Sequence, residues 1–260
     1  MKKNKDLQKI YNRIFKKGEN KTFTPFLTIG KRTTEIEEIL KETSWKNKKV
    51  LEVGCGTGFF AFEIVKKGAL VTAIDYSKEA IKIAQDNYQH HNLVFKKMDA
   101  KNIKDKYDVI VSIGTLEHMD NPENMLGIFK NHLNKNGCII VTCPNWVNPR
   151  GYILLALYFL FDAPITLADL HYLTPLDFVD FSKKLKMILK WRTFDRAWSH
   201  GDVLIADFKR RIPNVLRDAK LLKDKKGVDR LINWLQERVL PLNNSLYHSG
   251  AIGLYKFSKK

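Results

Sequence analysis

From residue 48 onward, short apolar runs alternate with amphipathic stretches. Runs near 49–53, 70–74, 93–97, 108–113 and 138–143 have the length of strands. Helices are expected near 59–67, 78–90, 122–134 and 174–185. Pro122 suits the first turn of its helix, and Gly68 and Gly137 suit helix ends. The segments 187–194 and 251–257 supply two further strands. Such alternation predicts a mainly parallel sheet with helices on both faces. Ahead of it, Leu7, Ile10, Tyr11, Ile14 and Phe15 recur at helical spacing, and Phe23-Thr24-Pro25-Phe26 breaks that helix. A second helix is expected over 33–42, capped by Thr33 or Thr34.

Two segments depart from this rhythm. Residues 151–161, GYILLALYFLF, form an unbroken apolar run behind Pro144-Asn145-Trp146. Three readings stay open for it: a buried lid helix lining an apolar pocket, a membrane-surface contact, or a dimer face. A helix apolar all round is usually buried, which favours the lid. The second segment, about 195–244, is a basic, aromatic-containing insertion with Leu231, Trp234, Leu235 and Val239 at helical spacing.

The chemistry concentrates at 49–58, KVLEVGCGTG, where a strand runs into Gly54, Gly56 and Gly58. Residues without a Cβ let a ligand lie on the backbone, and the helix that follows presents free N–H groups. Asp75 ends the next apolar run and could accept both hydroxyls of a ribose. The dinucleotide spacing GxGxxG would place its third glycine on Phe59, and no GxxxxGK string with Ser or Thr exists. Glu52, two residues before the first glycine, would repel a pyrophosphate and suit a cationic amino-acid end. S-adenosylmethionine carries an ammonium, a sulfonium, a ribose and an adenine, and no phosphate.

Glu52 to Gly58 resembles the ExGxGxG motif of class I S-adenosylmethionine-dependent methyltransferases. Further motifs follow in family order: Asp75; Asp99-Ala100 after Leu93-Val94-Phe95; YDVIVSI at 107–113; Leu116-Glu117-His118; and Asn136-Gly137 before 138–143. The resemblance is close over about 33–144. It implies an α/β fold: a Rossmann-like, doubly wound, seven-stranded, mostly parallel sheet with an antiparallel last strand, N-terminal helices and a helical insertion. It implies N-terminal helices over 1–45 as a cofactor lid, with Lys31 or Arg32 reaching the cofactor carboxylate. The methyltransferase domain then covers 46–260, elaborated at about 145–172 and 195–244. The cofactor-binding residues implied are Glu52, Gly54, Cys55, Gly56, Gly58, Asp75, Tyr76, Asp99, Ala100, Ile113 and Gly114. The alternative is a Rossmann-like domain that keeps its glycines only for a tight turn.

Bulk properties add bounds. With 260 residues, 44% of them hydrophobic, the chain can bury one good-sized core. No apolar run reaches the roughly 18 to 20 residues that span a bilayer. The start, Met1-Lys2-Lys3-Asn4-Lys5-Asp6, has no secretory pattern. Cys55, Cys138 and Cys143 form no CxxC pair, so a reducing cytoplasm is expected, with a membrane-peripheral position open through 151–161. The net charge of +17 either attracts an anionic partner or reflects solvated lysine-rich faces.

In an open α/β sheet the acceptor would approach beyond the carboxyl ends of the strands. His118 is the first candidate base, because imidazole titrates near neutrality, and Glu117-His118 as a mere turn is the alternative. His171, beside Tyr172, is the second; His200 and His248 are weaker, and His90-His91 are expected at the surface. The resemblance is nearest to ubiquinone-type and other small-molecule methyltransferases. Some of these hold a divalent metal with an acid two residues before the Leu of LEH; here that residue is Gly114, so no metal is implied. The expected activity is methyl transfer from S-adenosyl-L-methionine to oxygen or nitrogen of a small-molecule or lipid-like acceptor, releasing S-adenosyl-L-homocysteine. Two other functions remain open: an RNA or DNA methyltransferase, and a non-catalytic S-adenosylmethionine-binding subunit. The (N/D)PP(Y/F/W) string of base-amine enzymes is missing after strand four, where Ile113-Gly114-Thr115-Leu116 stands, and Cys143 reads as a strand-end core residue. Oligomeric state is open.

Overall fold

The computed structural model describes residue 12 and residues 33–163, 165–166, 169–194, 201–221, 226–239 and 250–259. Most of the expected N-terminal helix, Lys31, Arg32, His200, His248 and parts of the 195–244 insertion lie outside the described residues. In chain order the elements are α1 (Thr34–Leu40), β1 (Lys49–Val53), α2 (Phe59–Val65), β2 (Leu70–Asp75), α3 (Lys78–Asn87), β3 (Leu93–Lys97), β4 (Tyr107–Ile113), α4 (Pro122–Asn131), β5 (Leu133–Pro144), α5 (Pro149–Phe161), α6 (Pro175–Lys184), β6 (Met187–Phe194), α7 (Gly201–Asp218), α8 (Lys226–Trp234) and β7 (Ile252–Lys259). Short 3-10 turns cover Ala100–Asn102 and Leu116–His118.

The strands form one seven-stranded sheet in the order β3-β2-β1-β4-β5-β7-β6. The first five pair in parallel, and the last strand of the chain runs antiparallel, as the Rossmann-like methyltransferase fold requires. Helices cover the central strands, so these read as continuous apolar runs without alternation. Val50, Leu51, Val109, Ile110, Val111, Ile139 and Ile140 are accordingly buried. Thr33 caps α1, its Oγ1 accepting the Ile36 N–H at 3.3 Å. Tyr255 of β7 stacks on Phe178 of α6 at 3.6 Å, which fixes that helix over the strand.

The largest boundary difference from expectation lies between α4 and β5. β5 begins at Leu133 rather than near 138, and α4 stops at Asn131. The His132 carbonyl accepts the Tyr107 N–H at 2.9 Å, so β4 captures the chain as soon as the helix ends. Gly137 therefore lies inside a strand and not at a helix end. The ladder is irregular there, with Tyr107 opposite Leu133 and Val109 opposite Cys138. A Cβ at Gly137 would stand 3.1 Å from the Asp108 carbonyl, so glycine permits the bulged approach.

The described residues fall into two compact units. The first draws on Met1–Cys143, Leu176–Trp191 and Leu254–Lys260, and the second on Pro144–Pro175 and Arg192–Gly253. The second has its own core, in which Trp146, Leu154, Leu204, Phe208 and Ile232 are buried together. Within it, Asn145 and Asn148 are fully buried, and the side-chain amide of each donates to the Gly250 carbonyl, at 2.7 and 3.4 Å. Asp207, nearly inaccessible, accepts from Arg150, Arg210 and Arg211. The apolar run does form a helix, α5, but it is not buried all round. Leu154 is inaccessible, whereas Tyr152 is 56% and Phe159 72% exposed. Trp234 points outward as well, while Val228, Ile232 and Leu235 face the core. Among the described residues no helix is long and apolar enough to cross a membrane.

Candidate active site

The turn after β1 is tied to β2. The Gly54 and Cys55 N–H groups both donate to the Ile74 carbonyl, at 2.8 and 3.0 Å. The Gly58 N–H donates to the Cys55 carbonyl at 2.9 Å and closes the turn just before α2. Gly54, Gly56 and Gly58 all have left-handed backbones, with φ of 76°, 50° and 83°. Their surroundings differ. A Cβ at Gly54 would meet Thr115 at 2.5 Å, and one at Gly58 would meet the Phe95 ring at 2.6 Å. A Cβ at Gly56 would meet none of the described residues within 4 Å. Two glycines are thus demanded by packing, and the middle one faces open space.

Two buried acids flank this turn. Asp75 ends β2, where Oδ2 accepts the Gly56 N–H at 3.0 Å and Oδ1 accepts the Ser77 N–H at 2.8 Å. Burial raises its pKa against the lowering effect of those amides. Glu52 is 3% exposed. Burial pushes its carboxyl up to about 8, with the Ala61 N–H opposing and the Asp75 charge adding. Its Oε2 finds no partner among the described residues. Burial likewise raises the Cys55 thiol, followed by the charges of Glu52 and Asp75. Tyr76 is partly buried, and its phenol is raised by burial and then by Asp75.

The remaining motif residues sit at neighbouring strand ends of the same unit. Asp99, exposed, accepts the Lys101 N–H at 2.9 Å and starts a 3-10 turn in which Ala100 is buried. Ile113 ends β4, and the Gly114 N–H donates to the Thr142 carbonyl at 3.0 Å. Leu116 is buried and anchors the turn that carries Glu117 and His118. Glu117 is 3% exposed; the Cys143 thiol donates to its Oε2 at 3.3 Å, and His118 Nε2 lies 4.0 Å from its Oε1. A buried carboxylate beside an imidazole can hold the ring in place. His171 belongs to the second unit, partly buried, ahead of α6. His90 and His91 lie beyond the end of α3 with their rings stacked at 4.2 Å.

Three participants are missing from the sequence reading. Ser77, fully buried, donates its N–H to Asp75, accepts the Ala80 N–H at 3.2 Å as the cap of α3, and donates its hydroxyl to Asn12 at 2.6 Å. A serine directly before a helix is a readable cap signal. Thr115 walls Gly54, its hydroxyl donating to the Ile113 carbonyl at 2.8 Å. The Cys143–Glu117 bond joins residues 26 apart and has no local signal.

A sheet in this strand order with an antiparallel last strand is the Rossmann-like methyltransferase fold, and the glycine turn and the acids at the ends of β1 and β2 lie at its strand ends. Residues 44–170 match the family model described as a methyltransferase domain. The chain is 29% identical over 167 residues to the ubiquinone biosynthesis O-methyltransferase of Pelagibacter ubique, covering 59% of this chain and 69% of the relative. It is 28% identical over 118 residues to the enzyme of that description from Glaesserella parasuis serovar 5, covering 42% of this chain and 50% of the relative. It thus spans about half to two thirds of the length of these curated relatives. A SAM-dependent methyltransferase from Thermotoga maritima has the same fold, with a TM-score of 0.59 at 16% identity, over 96% of this chain and 99% of the other. So does the magnesium protoporphyrin IX methyltransferase of Synechocystis with bound SAH, with a TM-score of 0.55 at 12% identity, over 86% of this chain and 80% of the other.

Proposed function

We propose that the protein transfers a methyl group from S-adenosylmethionine to an oxygen or nitrogen of a small-molecule or lipid-like acceptor. The observation that carries this is the buried Oε2 of Glu52, without a partner among the described residues, in the strand that leads into the glycine turn. A buried carboxylate oxygen without a donor suits a ligand that brings a cation and excludes one that brings a phosphate. In this reading Glu52 holds the ammonium, Gly54 to Gly58 cradle the amino-acid end, Asp75 and Tyr76 bind the ribose side, and Asp99 and Ala100 bind the adenine. Cys55, Ile113 and Gly114 complete the wall. The bound cofactor supplies an electrophilic methyl.

The chain's own work is to position, exclude water and move a proton. His118 takes the proton of a phenol-like acceptor, and Glu117 orients the ring. The relatives described as ubiquinone O-methyltransferases support oxygen as the acceptor atom. The exposed Tyr152 and Phe159 of α5 support contact of 151–161 with a lipid-like acceptor or the membrane surface that carries it. Residues 1–45 act as the lid, and acceptor choice belongs to about 145–172 and 195–244.

Purified protein should carry S-adenosylmethionine or S-adenosylhomocysteine by mass spectrometry and bind the latter in calorimetry. Finding neither overturns the cofactor reading. With a phenolic acceptor found by screening catechols and hydroxybenzoates for labelled-methyl uptake, His118→Gln should lower kcat about a hundredfold, the lower end of general-base effects. Its S-adenosylhomocysteine affinity should stay at the wild-type value. An unchanged kcat would reduce His118 to a turn residue and move the test to His171→Gln.

A further inference from the structure

Glu52 lies among acids: Asp75 acts on it from β2, the Cys55 thiol from the turn, and the Ala61 N–H from α2, and among the described residues no cationic side chain acts beside these. Asp75 is the better served of the two carboxyls, since the Gly56 and Ser77 amides donate to its two oxygens. Among the described residues Glu52 has one backbone donor, Ala61, and one oxygen, Oε2, that meets none. When two buried acids compete for one negative charge, the one with more donors ionises and the other keeps its proton.

We propose that capture of the ligand's cationic amine at Glu52 is coupled to release of one proton from that carboxyl. This rests on the cofactor reading above. The carboxyl O–H bond breaks, the proton passes to buffer, and the charge left on the carboxylate pairs with the ammonium; no electrons are exchanged. The sign follows from the raised carboxyl: below its pKa the proton must be expelled, so affinity rises with pH, about tenfold per unit for one proton. Above that pKa, near 8, the carboxylate is already ionised and the rise stops, and the ligand's amine then begins to lose its own proton, so affinity passes through a maximum. A neutral partner of equal shape would bind without this dependence.

The test is calorimetric titration of the full chain with S-adenosylhomocysteine at pH 6.5, in buffers of different ionisation enthalpy. At that pH the ligand amine is already protonated, so a released proton comes from the protein. The slope of observed enthalpy against buffer enthalpy should correspond to about one proton released, and the affinity should rise about tenfold from pH 6 to 7. Glu52→Gln should bind more weakly, with a slope near zero. Tight binding with a zero slope in the wild type overturns the proposal, and so does an unchanged slope in Glu52→Gln. No binding at any pH instead overturns the cofactor reading, and this inference with it.

Discussion

Replacing Asp75 with Ala should weaken S-adenosylhomocysteine binding by at least a hundredfold. A hydrogen bond to a charged acceptor is worth about 1.5 to 3 kcal/mol, so two ribose hydroxyls on one carboxylate amount to about 3 to 6 kcal/mol. At 1.4 kcal/mol per decade, the lower figure already exceeds a hundredfold. The turn itself would also loosen, because the Gly56 and Ser77 N–H groups would lose the oxygens they donate to at 3.0 and 2.8 Å. Asp75→Asn separates the two effects. It keeps the shape of the side chain and an acceptor for one of those two N–H groups, so it should loosen the turn less than Asp75→Ala while still losing most of the ribose interaction. Calorimetry reads the affinity, and thermal melting of the free protein reads the fold. A dissociation constant for Asp75→Ala within threefold of wild type would show that the ligand does not meet this acid.

Gly58→Ala should lower stability by about 2 to 5 kcal/mol, whereas Gly56→Ala should cost about 1 to 2 kcal/mol and impair binding. Both positions need a left-handed backbone, with φ of 83° and 50°, which penalises any side chain by about 1 to 2 kcal/mol. Gly58 adds a collision. A Cβ there would stand 2.6 Å from Phe95 and 2.9 Å from the Ala84 Cβ, and overpacking costs about 1 to 3 kcal/mol. A Cβ at Gly56 meets no atom of the described residues within 4 Å, and a methyl group there would instead occupy space offered to the ligand. Urea unfolding of the free variants reads the first difference, and S-adenosylhomocysteine titration reads the second. Equal stability losses at both positions would mean that the Phe95 ring gives way freely.

Much of the fold is legible in local sequence. β1 and β3 fall on the predicted residues, and α6 differs by a residue at each end. Each is a short apolar run or an amphipathic segment bounded by its own turn residues. β5 is misread at its start because Asn136-Gly137 has the composition of a turn. Its pairing with β4 overrides that preference, and only the partner strand's register reveals it. The environment of α5 stays open in the sequence. Its residues are apolar on every side, which suits a buried lid, a membrane-surface contact or a dimer face alike, and Tyr152 and Phe159 are exposed. Amphipathicity is the usual clue to which face turns inward, and this helix offers none.

At the candidate site, what the residues determine by themselves is the glycine turn, the acids at Glu52 and Asp75, and the chemical kind of ligand they suit. These follow from spacing within one strand-turn-helix-strand unit, where neighbours in sequence are neighbours in space. Tertiary structure alone decides that Gly54 and Gly58 serve packing while Gly56 faces open space. It alone brings the Cys143 thiol to Glu117 and sets three arginines around Asp207. Those outcomes depend on which surfaces meet across the sheet and between helices. A buried polar group takes whatever partner the packing brings within reach, and no local pattern in the chain records that partner.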